Sequence, residues 1–333
     1  MSPTPVIIIA GVILAAGFFL AGLGTPEMPW VLWLTYGVMG GFGMGMTYTT
    51  TIAVCQKWFP DKRGLITGII VSALGFGGLV FTPVANALMD SAGVMATFQW
   101  FALIFLVVTV VCGIIIKNPP QGFKPEGWTP PAPKEGAAIR QDLTPGQTLK
   151  TPQYYMVTLA MLLACAAGLM VIPFAKILGT DGGLTPEVAA VGVMVISGFN
   201  SAGRLFWGWV SDRLGCKRTL IILMVIAAVG APIAALVKGA WVLVLIGAVG
   251  FSYGGFLGVF PAITSEYFGI RNMGMNYGMV MLGFSIGAVA SAYVAAYFKE
   301  LSGGFLVPFL IASAAAAVAA VLTAFLKPPK KKA

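Results

Sequence analysis

The chain has 333 residues, 58% of them hydrophobic and only 9% charged, with a formal net charge of +9 and a mean hydropathy of +0.92. So few charges cannot wet the surface of a soluble domain, which excludes a water-soluble enzyme or binding module. Histidine is absent, so His-based metal sites and His bases are excluded too, and Cys55, Cys112, Cys165 and Cys216 lie too far apart for a disulfide framework or a C-x-x-C site.

In chain order, the apolar runs are about 20 residues long, the length that crosses a bilayer core as a helix. They predict ten spans near 5–23, 30–55, 65–89, 98–116, 154–178, 187–210, 219–237, 241–264, 273–297 and 303–326 of an all-α integral membrane fold. The 43 glycines suit such a fold, because small residues let helices approach closely in lipid. Sorting the cations by alternate loops puts Lys57, Lys62, Arg63, Lys117, Lys124, Lys134, Arg140, Lys150, Arg213, Lys217, Arg218, Arg271, Lys327, Lys330, Lys331 and Lys332 on one side, against Lys176, Lys238 and Lys299 on the other. The positive-inside rule makes the first side cytoplasmic, with both termini there, in the cell (inner) membrane. The net charge is then a topology signal, not a nucleic-acid footprint. The polar, proline-rich stretch 117–150 reads as a cytoplasmic linker between an N-terminal bundle of four helices (1–116) and a C-terminal bundle of six with a basic tail (151–333).

The two bundles repeat one another at an offset of about 210 residues. GVMGGFGMGM (37–46), KWFPDKRG (57–64) and TGIIVSALGFG (67–77) recur in order as GAVGFSYGGF (247–256), EYFGIRNMG (266–274) and YGMVMLGFSIG (277–287). Trp58-Phe59 matches Tyr267-Phe268, Gly37 matches Gly247, and Gly68 matches Gly278. Repeated halves are a transporter signature, and the repeat leads us to expect two further helices, roughly 55–65 residues, before residue 1. The alternative is a protein that naturally has ten.

GWVSDRLGCKR (208–218) resembles the loop motif of the major facilitator superfamily, G-x-x-x-D-R-x-G-x-[KR]-[KR], with Gly208, Asp212, Arg213, Gly215, Lys217 and Arg218 at its six specified positions. Gly208 allows close helix approach, and Asp212 can face a helix N-terminus, where a carboxylate is favoured. KWFPDKRG, FTPV (81–84), FPAITSEYFG (260–269) and NYG (276–278) together resemble the oxalate/formate antiporter family, relatives of the monocarboxylate transporters. The resemblance implies a twelve-helix major facilitator fold, of which about ten helices are present, and transport of a small organic anion by rocking of two bundles.

Arg204, within ISGFNSAGRLFWGW, is the most informative residue. A cation inside a membrane helix is costly and usually faces a polar pathway. A planar guanidinium can grip a carboxylate with two hydrogen bonds. The competing reading is that Arg204 snorkels to the nearby interface. The resemblance favours substrate binding, because the family carries a substrate-binding arginine in this helix. Monocarboxylate transporters place an aspartate four residues before it, tied to proton coupling, where this chain has Asn200. Oxalate-type members carry a lysine in the penultimate helix, where this chain has Phe284. One cation instead of two points to a monoanion such as formate, lactate or pyruvate, and the missing relay acid points to antiport.

Tyr48, Tyr253, Phe256 and Phe260, on glycine-rich helices, could wall the substrate cavity or simply pack. Asp61, Arg63, Glu266 and Arg271 flank the loops at the helix ends and are candidate gate residues. No cofactor or metal is expected. The expected partners are a small organic anion and the lipid bilayer, not nucleic acid, and the chain is expected to act as a monomer. A non-transporting remnant or a membrane sensor on the same fold is the alternative from another class. A membrane enzyme is disfavoured, because the acids are dispersed.

Overall fold

The computed structural model describes residues 2–25, 27–120, 122–125 and 142–327. Most of the expected linker, with Lys134 and Arg140, and the tail lysines 330–332 lie outside the described residues. Among those described, every regular element is helical. In order these are α1 (Pro3–Ala21), α2 (Pro29–Leu32), a π-helical stretch (Trp33–Gly40), α3 (Gly41–Trp58), α4 (Arg63–Ile115), α5 (Pro145–Leu149), α6 (Pro152–Val171), a 3₁₀ turn (Ile172–Phe174), α7 (Ala175–Asp181), α8 (Pro186–Leu214), α9 (Cys216–Leu236), α10 (Trp241–Phe268), α11 (Met273–Ser302) and α12 (Leu306–Phe325).

Local chemistry sets many of these boundaries. Thr-Pro pairs open α5, α6 and α8: Thr144, Thr151 and Thr185 each accept a backbone N–H of the first turn, and the following proline, lacking an N–H, sits where none is needed. Gly215 (φ 87°) and Gly269 (φ 84°) end α8 and α10 in a backbone region that side chains disfavour.

Among the described residues, eight helical runs are long and apolar enough to cross a membrane: Pro3–Ala21, Arg63–Ile115, Pro152–Asp181, Pro186–Leu214, Cys216–Leu236, Trp241–Phe268, Met273–Ser302 and Leu306–Phe325. The sequence predicts ten, and two features account for the difference. The expected spans 65–89 and 98–116 run together in the 53-residue α4, interrupted only at Gly93, whose φ of 83° and ψ of 170° are not helical. The expected span 30–55 is divided among α2, the π-helical stretch and α3.

The chain divides into two compact units: Met1–Pro60 with Phe76–Trp128, and Asp61–Gly75 with Thr129–Ala333. The first turn and following turns of α4 thus group with the helices of the second expected bundle. In the first unit, α1 packs on α3 and the π-helical stretch. A Cβ at Gly17 would sit 2.6 Å from the Thr35 carbonyl oxygen, and one at Gly43 would sit 2.6 Å from that of Ala10, so these helices meet backbone to backbone. Phe18 forms edge contacts with Tyr36 (5.2 Å between ring centroids) and Phe105 (5.0 Å). Trp58 Nε1 donates to the Lys117 carbonyl at 2.9 Å, and Lys57 Nζ donates to Asn118 Oδ1 at 3.2 Å, which fastens the end of α3 to the chain following α4.

In the second unit α10 is the central helix. It packs on α8 and α9, while α6 packs on α11 and α12, and α12 on α9. Phe256, Val259, Phe260, Ile263 and Phe268 of α10 are 0–1% exposed.

Candidate functional site

α8 carries the site, and glycines on two neighbours bring it close. On one side, a Cβ at Gly258 of α10 would lie 2.8 Å from the Arg204 carbonyl oxygen, and one at Gly254 would lie 3.2 Å from the Arg204 nitrogen. On the other, Cβ atoms at Gly64 and Gly68 of α4 would overlap the carbonyl oxygens of Gly208 and Arg204. Gly64, Gly68 and Gly75 repeat at intervals of four and seven along α4, so they share one face. That face lies against α8 for about 17 Å.

Polar contacts run down the same seam. Asp212 Oδ1 and Oδ2 accept the backbone N–H groups of Gly64 and Leu65, each at 2.8 Å. These are two of the first-turn donors of α4 that have no partner within the helix, and the carboxylate also meets the positive end of its dipole. Further in, Ser72 Oγ donates to the Ser201 carbonyl at 2.9 Å. Arg204 Nη1 donates to the Val71 carbonyl, and Nε donates to Asn200 Oδ1 at 3.0 Å. Asn200 and Arg204, one helical turn apart, therefore act as a pair. Both of these acceptors are uncharged, so the guanidinium is oriented without being neutralised by them.

Arg204 is half-buried and sits ten residues from the Leu214 end of α8, about 15 Å along its axis. α8 extends four residues beyond the span expected from hydropathy, through the polar Ser211, Asp212 and Arg213.

The other motif residues do separate jobs. The Arg213 guanidinium carbon lies 4.0 Å from the centroid of the Trp209 ring. Lys217 Nζ donates to the carbonyls of Ala324 (2.7 Å) and Leu326 (2.8 Å), capping the C-terminal end of α12 with a cation. Arg218 is exposed. Gly215 supplies the turn between α8 and α9. Asp61 lies 4.0 Å from Lys62, and Arg63 is half-buried at the start of α4. Glu266 and Arg271 are exposed, and among the described residues no ion pair joins them. The loop between α10 and α11 is instead held by Asp142, whose Oδ1 accepts the N–H groups of Ile270 (2.9 Å) and Arg271 (3.0 Å). Beside it the Leu143 carbonyl accepts from Asn272 and Asn276, both at 3.1 Å.

The aromatic candidates are dispersed. Phe256 and Phe260 are fully buried in α10 with ring centroids 6.3 Å apart, a packing role. Tyr253 is buried against Gly168 of α6, where a Cβ would strike its ring. Phe284 is half-buried on α11, and Tyr48 is half-buried on α3 of the first unit. The residues that sequence reasoning missed are Val71, Ser72 and Asp142. Val71 contributes only its carbonyl, which has no sequence signature, and Asp142 lies in a stretch that reads as linker.

The family model of the Major Facilitator Superfamily matches residues 1–199 and 157–333. The chain is 35% identical over 283 residues to the uncharacterized MFS-type transporter YhjX of Escherichia coli K12, covering 84% of this chain and 68% of that protein. It is 29% identical over 322 residues to the oxalate:formate antiporter of Oxalobacter formigenes (96% and 74% covered) and 24% identical over 326 residues to monocarboxylate transporter 13 of Rattus norvegicus (94% and 71%). Among solved structures, the fucose:proton symporter FucP of E. coli superimposes with a TM-score of 0.71 at 15% identity, covering 97% of this chain and 83% of that one, a likeness of fold.

Proposed function

The chain belongs to the Major Facilitator Superfamily, and from that premise we propose that it is a secondary carrier that exchanges small monocarboxylate anions across a membrane. The proposal covers the finer points: a substrate of the formate, lactate or pyruvate kind, antiport, an inner membrane with both termini cytoplasmic, and a monomer. The family membership makes it a transporter and not an enzyme.

Arg204 carries this reading. It places a guanidinium on a membrane-spanning helix, with Asn200 and the Val71 carbonyl among the acceptors that orient it. A cation in a membrane helix usually faces a polar pathway, and a planar guanidinium can grip a carboxylate with two hydrogen bonds. The similarity to an oxalate:formate antiporter and to monocarboxylate transporters supports a carboxylate. Phe284 on α11, where a second cation would serve a dianion, supports a monoanion.

The test is counterflow of radiolabelled formate and lactate in proteoliposomes, with oxalate as the dianion comparison. Arg204→Ala is expected to abolish it. Wild-type rates in that variant overturn the assignment, and faster counterflow of oxalate than of any monocarboxylate overturns the choice of charge.

A further inference from the structure

We propose that residues 142–149, just ahead of α6, form a releasable strap across the joint between α10 and α11, and that lifting this strap is a step of the transport cycle. The last clause rests on the carrier reading; the strap itself stands on contacts away from Arg204.

The joint is short. Only Gly269, Ile270, Arg271 and Asn272 separate two long helices, and Gly269 turns the chain at a φ of 84°. A few residues at helix ends are where movements of whole helices concentrate. Asn272 stands at the N-cap of α11, yet its side chain makes no cap. It donates instead to the Leu143 carbonyl, as does Asn276 one turn further on. The Leu143 amide donates to the Phe268 carbonyl at 3.0 Å, and Asp142 Oδ1 accepts from the Ile270 and Arg271 amides. Two consecutive residues of the strap thus hold the whole joint, and α5, which follows them, packs against both α6 and α11. Since α10 packs on α8 while α11 packs on α6, the strap braces the place where these two pairs meet.

Three features make the fastening reversible. First, a single oxygen of Asp142 serves both amides on exposed ground, where water is nearly as good a partner. Asp212, at the matching joint of the first repeat, gives a separate oxygen to each amide. Second, two fully buried side chains in this contact, Thr148 of the strap and Asn276 of α11, each keep an atom (Oγ1 and Oδ1) with no hydrogen-bond partner among the described residues. Such atoms cost stability while the strap is down and regain it once water reaches them. Third, α5 has five residues, too few to persist as a helix without docking. Burial of Leu143, 9% exposed, pulls the other way. Opposed terms on so small an element give two states a modest difference apart, which is what a repeating step requires.

Amide hydrogen exchange of the wild-type protein in bilayers tests release without any substrate. Peptides covering 142–149 and 268–276 are expected to exchange together and faster than the middle of α10. Asp142→Asn is expected to speed both by roughly fivefold, the equivalent of one net hydrogen bond. Counterflow of formate, lactate and oxalate on the same preparations tests the role in the cycle. Asp142→Asn is expected to raise the maximal rate by a similar factor with little change in KM, and Asp142→Glu, which keeps a carboxylate, to return it toward wild type. A brace with no part in the cycle predicts a lower rate instead. Asn272→Ser removes one bond to the strap while leaving a good N-cap for α11, and it serves if the aspartate variant fails to fold. Slow or uncorrelated exchange of the two peptides, or a maximal rate unchanged or lowered in these variants, overturns the proposal and leaves the carrier in place. Absence of counterflow for all three acids overturns the carrier reading and the step in the cycle with it, while the exchange result still decides whether the strap lifts.

Discussion

Arg204 of α8 donates through Nη1 to the main-chain carbonyl of Val71 in α4, although 133 positions separate them in sequence. The same guanidinium reaches back one turn to Asn200 through Nε at 3.0 Å. A guanidinium on a membrane-spanning helix is thus oriented by neutral acceptors on two helices, and that arrangement leads to the first prediction.

Asn200→Asp sets a carboxylate where the neutral amide oxygen now accepts from Nε. An opposite charge at this distance stabilises the ionised acid and cancels the field that attracts substrate. The apparent affinity for a monocarboxylate is expected to fall by roughly tenfold or more at neutral pH, the low end of what a close opposite charge does to a carboxylate equilibrium. KM for formate counterflow in proteoliposomes checks this, and an unchanged KM shows that Asn200 does not face the anion.

Gly64→Ala adds a methyl group where a Cβ overlaps the Gly208 carbonyl. Backbone cannot swing aside as a side chain can, so α4 and α8 must part, at a cost of about 1–3 kcal/mol. A fall in Tm and in transport rate is expected. Gly278→Ala is the contrast: a Cβ there has nothing within 4 Å, and alanine is the better helix former by up to about 1 kcal/mol. Tm is expected to hold or rise. Thermal scans of both variants in one detergent compare them directly.

Lys217→Met keeps the length of the side chain and removes both hydrogen bonds to the Ala324 and Leu326 carbonyls. The last turn of α12 is expected to fray, at a cost of about 1 kcal/mol, with faster amide exchange in 320–327 and little change at the other end of the helix. Lys217→Arg restores most of the protection, because a cation with several donors is what the carbonyls require.

How far the sequence reveals this molecule depends on which atoms do the work. Helices and their membrane character are legible because hydropathy acts through side chains, and the Thr-Pro and glycine punctuation marks several boundaries to the residue. Two spans that hydropathy separates, 65–89 and 98–116, run on as one helical stretch for a backbone reason: the break between them is confined to the dihedral angles of Gly93. Asp212 can be placed opposite a helix N-terminus because a carboxylate in a D-R-x-G loop has few other uses. Its partners, the amides of Gly64 and Leu65, carry no sequence mark. The repeat aligns Gly68 with Gly278, yet the first lies against the Arg204 carbonyl and the second against open space, so an internal match identifies like positions and not like surroundings. Arg204 stands out by its charge alone, whereas Val71, an ordinary apolar residue of a membrane helix, gives no hint that its carbonyl completes the site.

The seam between α4 and α8 has a practical consequence for anyone mapping it. Gly64, Gly68 and Gly208 contribute by having no side chain, Val71 and Ser201 by their carbonyls, and Gly64 and Leu65 by their amides. A scan that trims side chains one at a time will find Ser72, Arg204 and Asp212 and pass over the rest. Only substitutions that add bulk, or chemistry that replaces an amide with an ester, can expose the remainder. Natural variation has the same blind spot: the outward-facing positions of this stretch can drift freely while the contact itself stays as it is.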